Sequence, residues 1–102
     1  MIVTRQDRIV EFIQRHADSA DALAAWLQTV ESVTWRHPAE VRRTFGTVDV
    51  AVPAGNRKVA VFNIKGNHYR LAASIDYRAE IVNVLRIMTH REYDRDKWKD
   101  TL

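Results

Sequence analysis

The sequence predicts an α+β fold in which helices come first and an antiparallel meander follows. Three observations carry this expectation. Apolar residues recur at helical spacing up to about Val33. From Val59 to Ile75 apolar and polar residues alternate on either side of Gly66-Asn67. A further strand-like run follows from Ile81 to Met88. A chain of 102 residues suffices for one domain, residues 1–102, with a modest core.

The elements follow in order. Thr4 is placed to cap a helix from Arg5 to about His16, with Ile9, Phe12, Ile13 and His16 on its apolar stripe. Asp18 or Ser19 caps a second helix to about Val33. Its inner face carries Leu23, Leu27 and Val30, with Trp26 and Val33 beside it. Trp26 reads as core. Pro38 suits the first turn of a short third helix, Ala39 to about Thr44, ended by Gly46. Asp49 to Lys58 contains Pro53, Gly55 and Asn56 and reads as a loop with a little strand before it.

The central hairpin comes next. A two-residue Gly66-Asn67 connection sets Ile64 opposite Tyr69, Asn63 opposite Arg70 and Phe62 opposite Leu71. Ala60, Phe62, Ile64, Tyr69, Leu71, Ala73 and Ile75 then share an apolar face, and Asn63, Lys65, His68 and Arg70 share the polar one or its turn. Asp76 to Glu80 turns the chain. Ile81 to Met88 forms a third strand with its odd positions inward, which points Arg86 and His90 the same way as Arg70. A last helical turn starts at Thr89 or His90 and runs to about Trp98, and the tail from Lys97 to Leu102 is expected to fray. The helices should cover the apolar sheet face and leave the other partly open to water.

Composition narrows the function. There is no cysteine, so disulfides and thiolate metal sites are excluded, in keeping with a cytoplasmic protein. No apolar run is long enough to span a membrane, and the first residues do not resemble a signal peptide. Net charge is +3. Residues 1–50 carry 6 basic and 7 acidic groups, residues 51–102 carry 10 and 6, so the positive excess lies on the strand-rich half. That asymmetry favours a polyanionic partner, nucleic acid above all.

Common catalytic signatures are absent: no phosphate-cradling glycine loop, no Gly-x-Ser-x-Gly, no paired His or Asp spacing for a metal, and no cofactor motif. What remains is a basic cluster of Asn63, Lys65, His68, Arg70, Arg86, His90, Arg91 and Tyr93. Arg70 can pair with Asp76 or Glu80, or lie on a solvated sheet face, or clamp a phosphate through its planar donor fork. An imidazole can pass protons near neutral pH. Tyr93 can stack on a base or pack the last helix onto the sheet. Together these groups suit RNA cleavage in which the ribose 2′-hydroxyl attacks the adjacent phosphate without a metal. They suit plain RNA binding as well.

The segment Phe62-Asn63-Ile64-Lys65-Gly66-Asn67-His68-Tyr69-Arg70-Leu71, followed by Thr89-His90-Arg91-Glu92-Tyr93-Asp94, resembles the HigB toxins of bacterial type II toxin–antitoxin systems and, more distantly, the RelE/ParE superfamily. The pattern is an FN-x-x-GN-x-YRL hairpin and then a strand ending in TH-x-EYD. The resemblance implies a RelE-like fold, with N-terminal helices packed on a three- to four-stranded antiparallel sheet and a short C-terminal helix. It implies an mRNA interferase, usually one that cuts messenger RNA in the ribosomal A site, with no metal. It also implies a helix-turn-helix, HigA-like antitoxin partner, and contact with operator DNA only through the toxin–antitoxin complex. Carried over by position, Arg70 contacts the scissile phosphate, His90 and Tyr93 are the next catalytic candidates, Arg91 stands where relatives have a basic residue after their last long strand, and Lys65 and His68 are weaker matches. ParE-like relatives act instead on DNA gyrase, and a non-catalytic RNA-binding module would carry the same charges.

Overall fold

The computed structural model describes all residues, 1–102. Its elements are β1 (Ile2–Thr4), α1 (Asp7–Arg15), α2 (Ala20–Glu31), α3 (Pro38–Thr44), β2 (Asp49–Ala54), β3 (Arg57–Ile64), β4 (Tyr69–Asp76), β5 (Ile81–Thr89) and α4 (His90–Asp94). Short 3₁₀ turns follow α1 at Ala17–Ser19 and close the chain at Lys97–Asp100. The α+β class holds. The sheet, however, has five strands in the order β1-β5-β4-β3-β2, not three to four, and it is mixed, because β1 runs parallel to β5.

Both additional strands lie at edges. β1 pairs Ile2, Val3 and Thr4 with Ile81, Val82 and Asn83, and three residues are too few to display an alternation. Thr4 therefore does not cap α1: its hydroxyl donates to Asn83 Oδ1 at 2.7 Å, and the helix starts only at Asp7. β2 occupies most of the segment read as a loop. Pro53 argues against a central strand, but an edge strand tolerates its missing N–H.

The two Gly-Asn pairs exchange the roles expected of them. Ala54 pairs with Arg57, so Gly55-Asn56 is the two-residue turn, with Gly55 at φ 63°. At the central hairpin the register is as expected, Ile64 to Tyr69, Asn63 to Arg70 and Phe62 to Leu71. There the connection spans Lys65 to His68, and the positive φ values fall on Lys65 and Gly66 rather than on Asn67.

Helices α1 to α3 cover one sheet face. Phe62 is the hub of that core: Trp26, Trp35 and Phe45 place their rings 5.4, 6.3 and 5.2 Å from it. Burying such a side chain contributes about 1.5–3 kcal/mol. Ile9 and Phe12 on α1 and Leu23, Trp26 and Val30 on α2 are buried as their spacing predicts.

The opposite face is open only in part, at Asn63 and Arg86. A second apolar cluster of Val52, Ala54, Val59, Val61, Ala72, Leu85, Met88 and Trp98 sits there. Trp98 is only 4% exposed, so the tail is anchored rather than frayed. A single tryptophan near a chain end gives no periodicity, and its burial arises only once the tail folds back over β2. Strand β5 also switches the face of its side chains. Val82 and Val84 point into the helix-side core, and a bulge in β5 at Leu85, opposite Ala72 and Ala73 of β4, sends Ile87 there instead of an even position. The expectation of odd positions inward holds only beyond that bulge.

Candidate nucleic-acid-cleaving site

Arg70 lies on the sheet face away from the helices, because its strand neighbours Tyr69 and Leu71 belong to the helix-side core. It pairs across the sheet with Asn63 on one side and Met88 on the other. The guanidinium is turned toward the hairpin end. Its Nη1 donates to the carbonyls of Asn67 and Tyr69, both at 3.1 Å, and its Nη2 donates to Asn67 Oδ1. Arg70 is 7% exposed and forms no ion pair, so neither Asp76 nor Glu80 neutralises it. A buried charge without a counter-ion costs several kcal/mol, which neutral acceptors offset only in part. Its terminal N–H groups are all engaged, so an anion is bound by this fork in exchange for neutral acceptors such as Asn67 Oδ1 and His90 Nδ1.

His90 and Tyr93 arrive from α4. Thr89 starts this helix with a capping box: its hydroxyl accepts from Glu92 N at 3.2 Å, and Glu92 Oε1 accepts from Thr89 N at 3.1 Å. The backbone N–H of His90 donates to His68 O at 3.0 Å, which ties α4 to the hairpin turn. The Nδ1 of His90 lies 3.3 Å from Arg70 Nη2. An arginine can only donate, so Nδ1 accepts and the ring proton sits on Nε2. That nitrogen lies 2.9 Å from Asp94 Oδ2, one helical turn on. Asp94, His90 and Arg70 thus form a chain of hydrogen bonds with a neutral imidazole at its centre.

Tyr93 is half-buried beneath this chain. Arg70 Cζ lies 5.3 Å from its ring centroid, and the ring stacks on Trp98 at 5.6 Å. The carbonyl of Tyr93 accepts from Trp98 Nε1 at 3.1 Å. Tyr93 therefore both packs the last helix onto the sheet and forms part of the Arg70 environment.

The remaining candidates divide. Asn63 is the cross-strand neighbour of Arg70 and is exposed, and His68 is exposed in the turn with Nδ1 2.9 Å from Lys65 O. Arg86 shares the face of Arg70, two residues along β5 from Met88, but its guanidinium turns away to Thr101 Oγ1 at 2.7 Å. Arg91 is exposed and unpaired on α4, about 100° round the helix from His90. Lys65 is not brought to this group. Its Nζ lies 2.8 Å from Asp18 Oδ2, and Tyr69 donates its hydroxyl to the other oxygen of Asp18 at 2.6 Å. These two hydrogen bonds, Lys65 first, hold the Asp18 carboxyl below its ordinary range, and Asp18 in turn raises the Tyr69 phenol.

Three residues of this site were not singled out by the sequence reading. Asn67 and Asp94 lie inside the two motif segments, and the four-residue spacing of His90 and Asp94 on a helix was legible. Trp98 offered no such signal. No three His, Cys, Asp or Glu side chains converge in a way that could hold a metal ion. No helix is long and apolar enough to cross a membrane.

A family model described as HigB_toxin, RelE-like toxic component of a toxin-antitoxin system, matches residues 19–96. That span holds the hairpin, β5 and α4, and leaves out β1, α1 and Trp98. No curated protein matches the chain.

Proposed function

Because the chain belongs to the HigB toxin family, RelE-like toxic components of toxin–antitoxin systems, we propose that it is an mRNA interferase, a cytoplasmic endoribonuclease that cuts messenger RNA in the ribosomal A site. The observation that carries this reading is Arg70: a nearly buried guanidinium without a carboxylate partner, fixed by Asn67 and His90.

The reaction requires no group beyond RNA and side chains. The ribose 2′-oxygen attacks the adjacent phosphorus, the bond to the 5′-oxygen of the next nucleotide breaks, and a 2′,3′-cyclic phosphate remains. Arg70 stabilises the charge that builds on the non-bridging oxygens. As Arg70 turns to the phosphate it releases His90 Nδ1, which takes the 2′-hydroxyl proton, and Asp94 steadies the resulting imidazolium from Nε2. Solvent water protonates the departing 5′-oxygen and later recovers the proton held by the His90 imidazolium, which closes the balance. Tyr93 holds the Arg70 fork from below and offers a ring face to a base. Asn63, His68, Arg86 and Arg91 contact RNA around this point. Lys65 would join them only by leaving Asp18.

The toxin's counterpart is an antitoxin, which we take to be a HigA-like helix-turn-helix protein that brings the pair to operator DNA. Expression of Arg70→Ala tests the site: growth arrest and mRNA cleavage should both vanish while the protein stays folded. Unchanged toxicity in that variant would remove Arg70 from the chemistry.

A further inference from the structure

A second basic cleft lies on the far side of Arg86. It has a volume of about 330 Å³ and sits where β5 runs past the end of short β1, with α1 on one side and the chain's last residues on the other. Arg8 and Arg15 of α1, Arg57 at the start of β3 and Arg86 of β5 all line it. None of the four forms an ion pair. Arg8 donates to the carbonyl of Leu85 and Arg86 to Thr101, whereas the side chains of Arg15 and Arg57 are exposed and have no hydrogen-bond partner. Glu11 is the one acidic side chain at the cleft, and it reaches none of them. Four like charges against one carboxylate in a concave site raise the local positive potential, which favours entry of an anion.

This cleft is continuous with the Arg70 face. An adjoining hollow shares Arg86 and Thr101 with it, adds Arg95 and Lys97 and one carboxylate, Glu92, which is held in the α4 capping box, and extends to Met88, the cross-strand neighbour of Arg70. The basic groups thus form a track from Arg70 past Arg86 to Arg15. Arg8 and Arg15 lie outside the residues that match the family model.

We propose that the Arg8, Arg15, Arg57 and Arg86 cleft binds the phosphodiester backbone of RNA at a distance from the scissile phosphate. The guanidinium fork suits phosphate, and a track of separated guanidiniums suits a strand more than a single small anion. This rests on the reading of RNA as the target. The strand would be either the substrate itself or ribosomal RNA beside it.

Binding tests the cleft apart from cleavage. Full-length protein carrying Arg70→Ala would be titrated with labelled RNA of about 4 and about 16 nucleotides, the range of single-strand site sizes. Arg15→Ala combined with Arg57→Ala would be compared with it; neither side chain has a partner, so folding is preserved. The double substitution should weaken the longer RNA about tenfold, lower its salt slope by about 1.4, and leave the shorter RNA unchanged. Unchanged binding of both RNAs with reduced sedimentation on ribosomes would assign the phosphates to ribosomal RNA. If neither oligonucleotide nor ribosome binding falls, the cleft is not an RNA site. Protein with Arg70 intact that cuts no RNA, while the cleft still binds it, would overturn the nuclease and spare the cleft. Normal cleavage with no effect of the double substitution would do the reverse.

Discussion

Arg70 Nη2 and His90 Nδ1 stand 3.3 Å apart, and the opposite nitrogen of the same ring faces Asp94 at 2.9 Å. A residue in the middle of a strand and one that starts a helix twenty positions later thus share a single hydrogen-bond chain. Arg70 also depends on its fork, since both terminal nitrogens hold Asn67 while Nη1 alone reaches Tyr69 O and Nη2 alone reaches His90. Arg70→Lys should therefore behave almost as Arg70→Ala, with cleavage reduced by roughly 10²–10³ in kcat, the scale of losing one preorganised donor set. Single-turnover cleavage rates would check it, and a lysine variant within a few-fold of the parent would show that charge alone suffices.

Asp94 acts through His90 and touches nothing else in the site. Asp94→Asn keeps the shape and loses the charge that steadies an imidazolium. Its kcat should fall by about 10–100-fold with KM little changed, and the melting temperature should hold because the side chain is exposed. A rise in KM at constant kcat would mark Asp94 as a binding group instead.

Much of this arrangement was legible before folding. The hairpin register followed from the Gly66-containing turn and the alternation around it, and it put Asn63 beside Arg70 correctly. Helical spacing alone found the inner faces of α1 and α2. What escaped was set by tertiary contact. β1 is too short to show a period, Pro53 disguised an edge strand, and the β5 bulge reversed which positions face inward. Lys65 looked like part of the polar turn, yet Asp18 draws it to the helix side.

Trp98 shows the same limit from the other direction. It covers Val52, Val59 and Met88 and supports Tyr93, although nothing nearby in sequence announces it. Trp98→Ala should cost about 3–5 kcal/mol, a large part of the 5–15 kcal/mol typical of a domain. Chemical denaturation would measure it. A loss below about 1 kcal/mol would mean that the tail is not anchored as described.

The Asp18 link gives a pH dependence of defined sign. Its carboxyl is held below the ordinary value by Lys65 and then Tyr69, so the folded state keeps the charge better than the unfolded chain does. That contribution is complete above about pH 5 and is lost as the pH falls through about 4 and below. Asp18→Asn should thus melt lower than the parent at neutral pH, and the gap should close in acid. Tyr69 runs the opposite way: its raised phenol contributes below about pH 10 and loses that contribution as the pH climbs past its folded value. Melting curves that stay parallel across the acid range would separate Asp18 from the stability of the hairpin end.

Mapping cut sites on a defined mRNA tests directly whether Arg70 promotes cleavage of messenger RNA. Toxin freed of antitoxin would be added to a defined mRNA, naked or on programmed ribosomes with an empty A site, and the 5′ ends mapped. Cuts within A-site codons only when ribosomes are present, absent with Arg70→Ala, are the result expected here. No cut with or without ribosomes, from protein that still arrests growth, would contradict the claim and point to a gyrase-directed toxin.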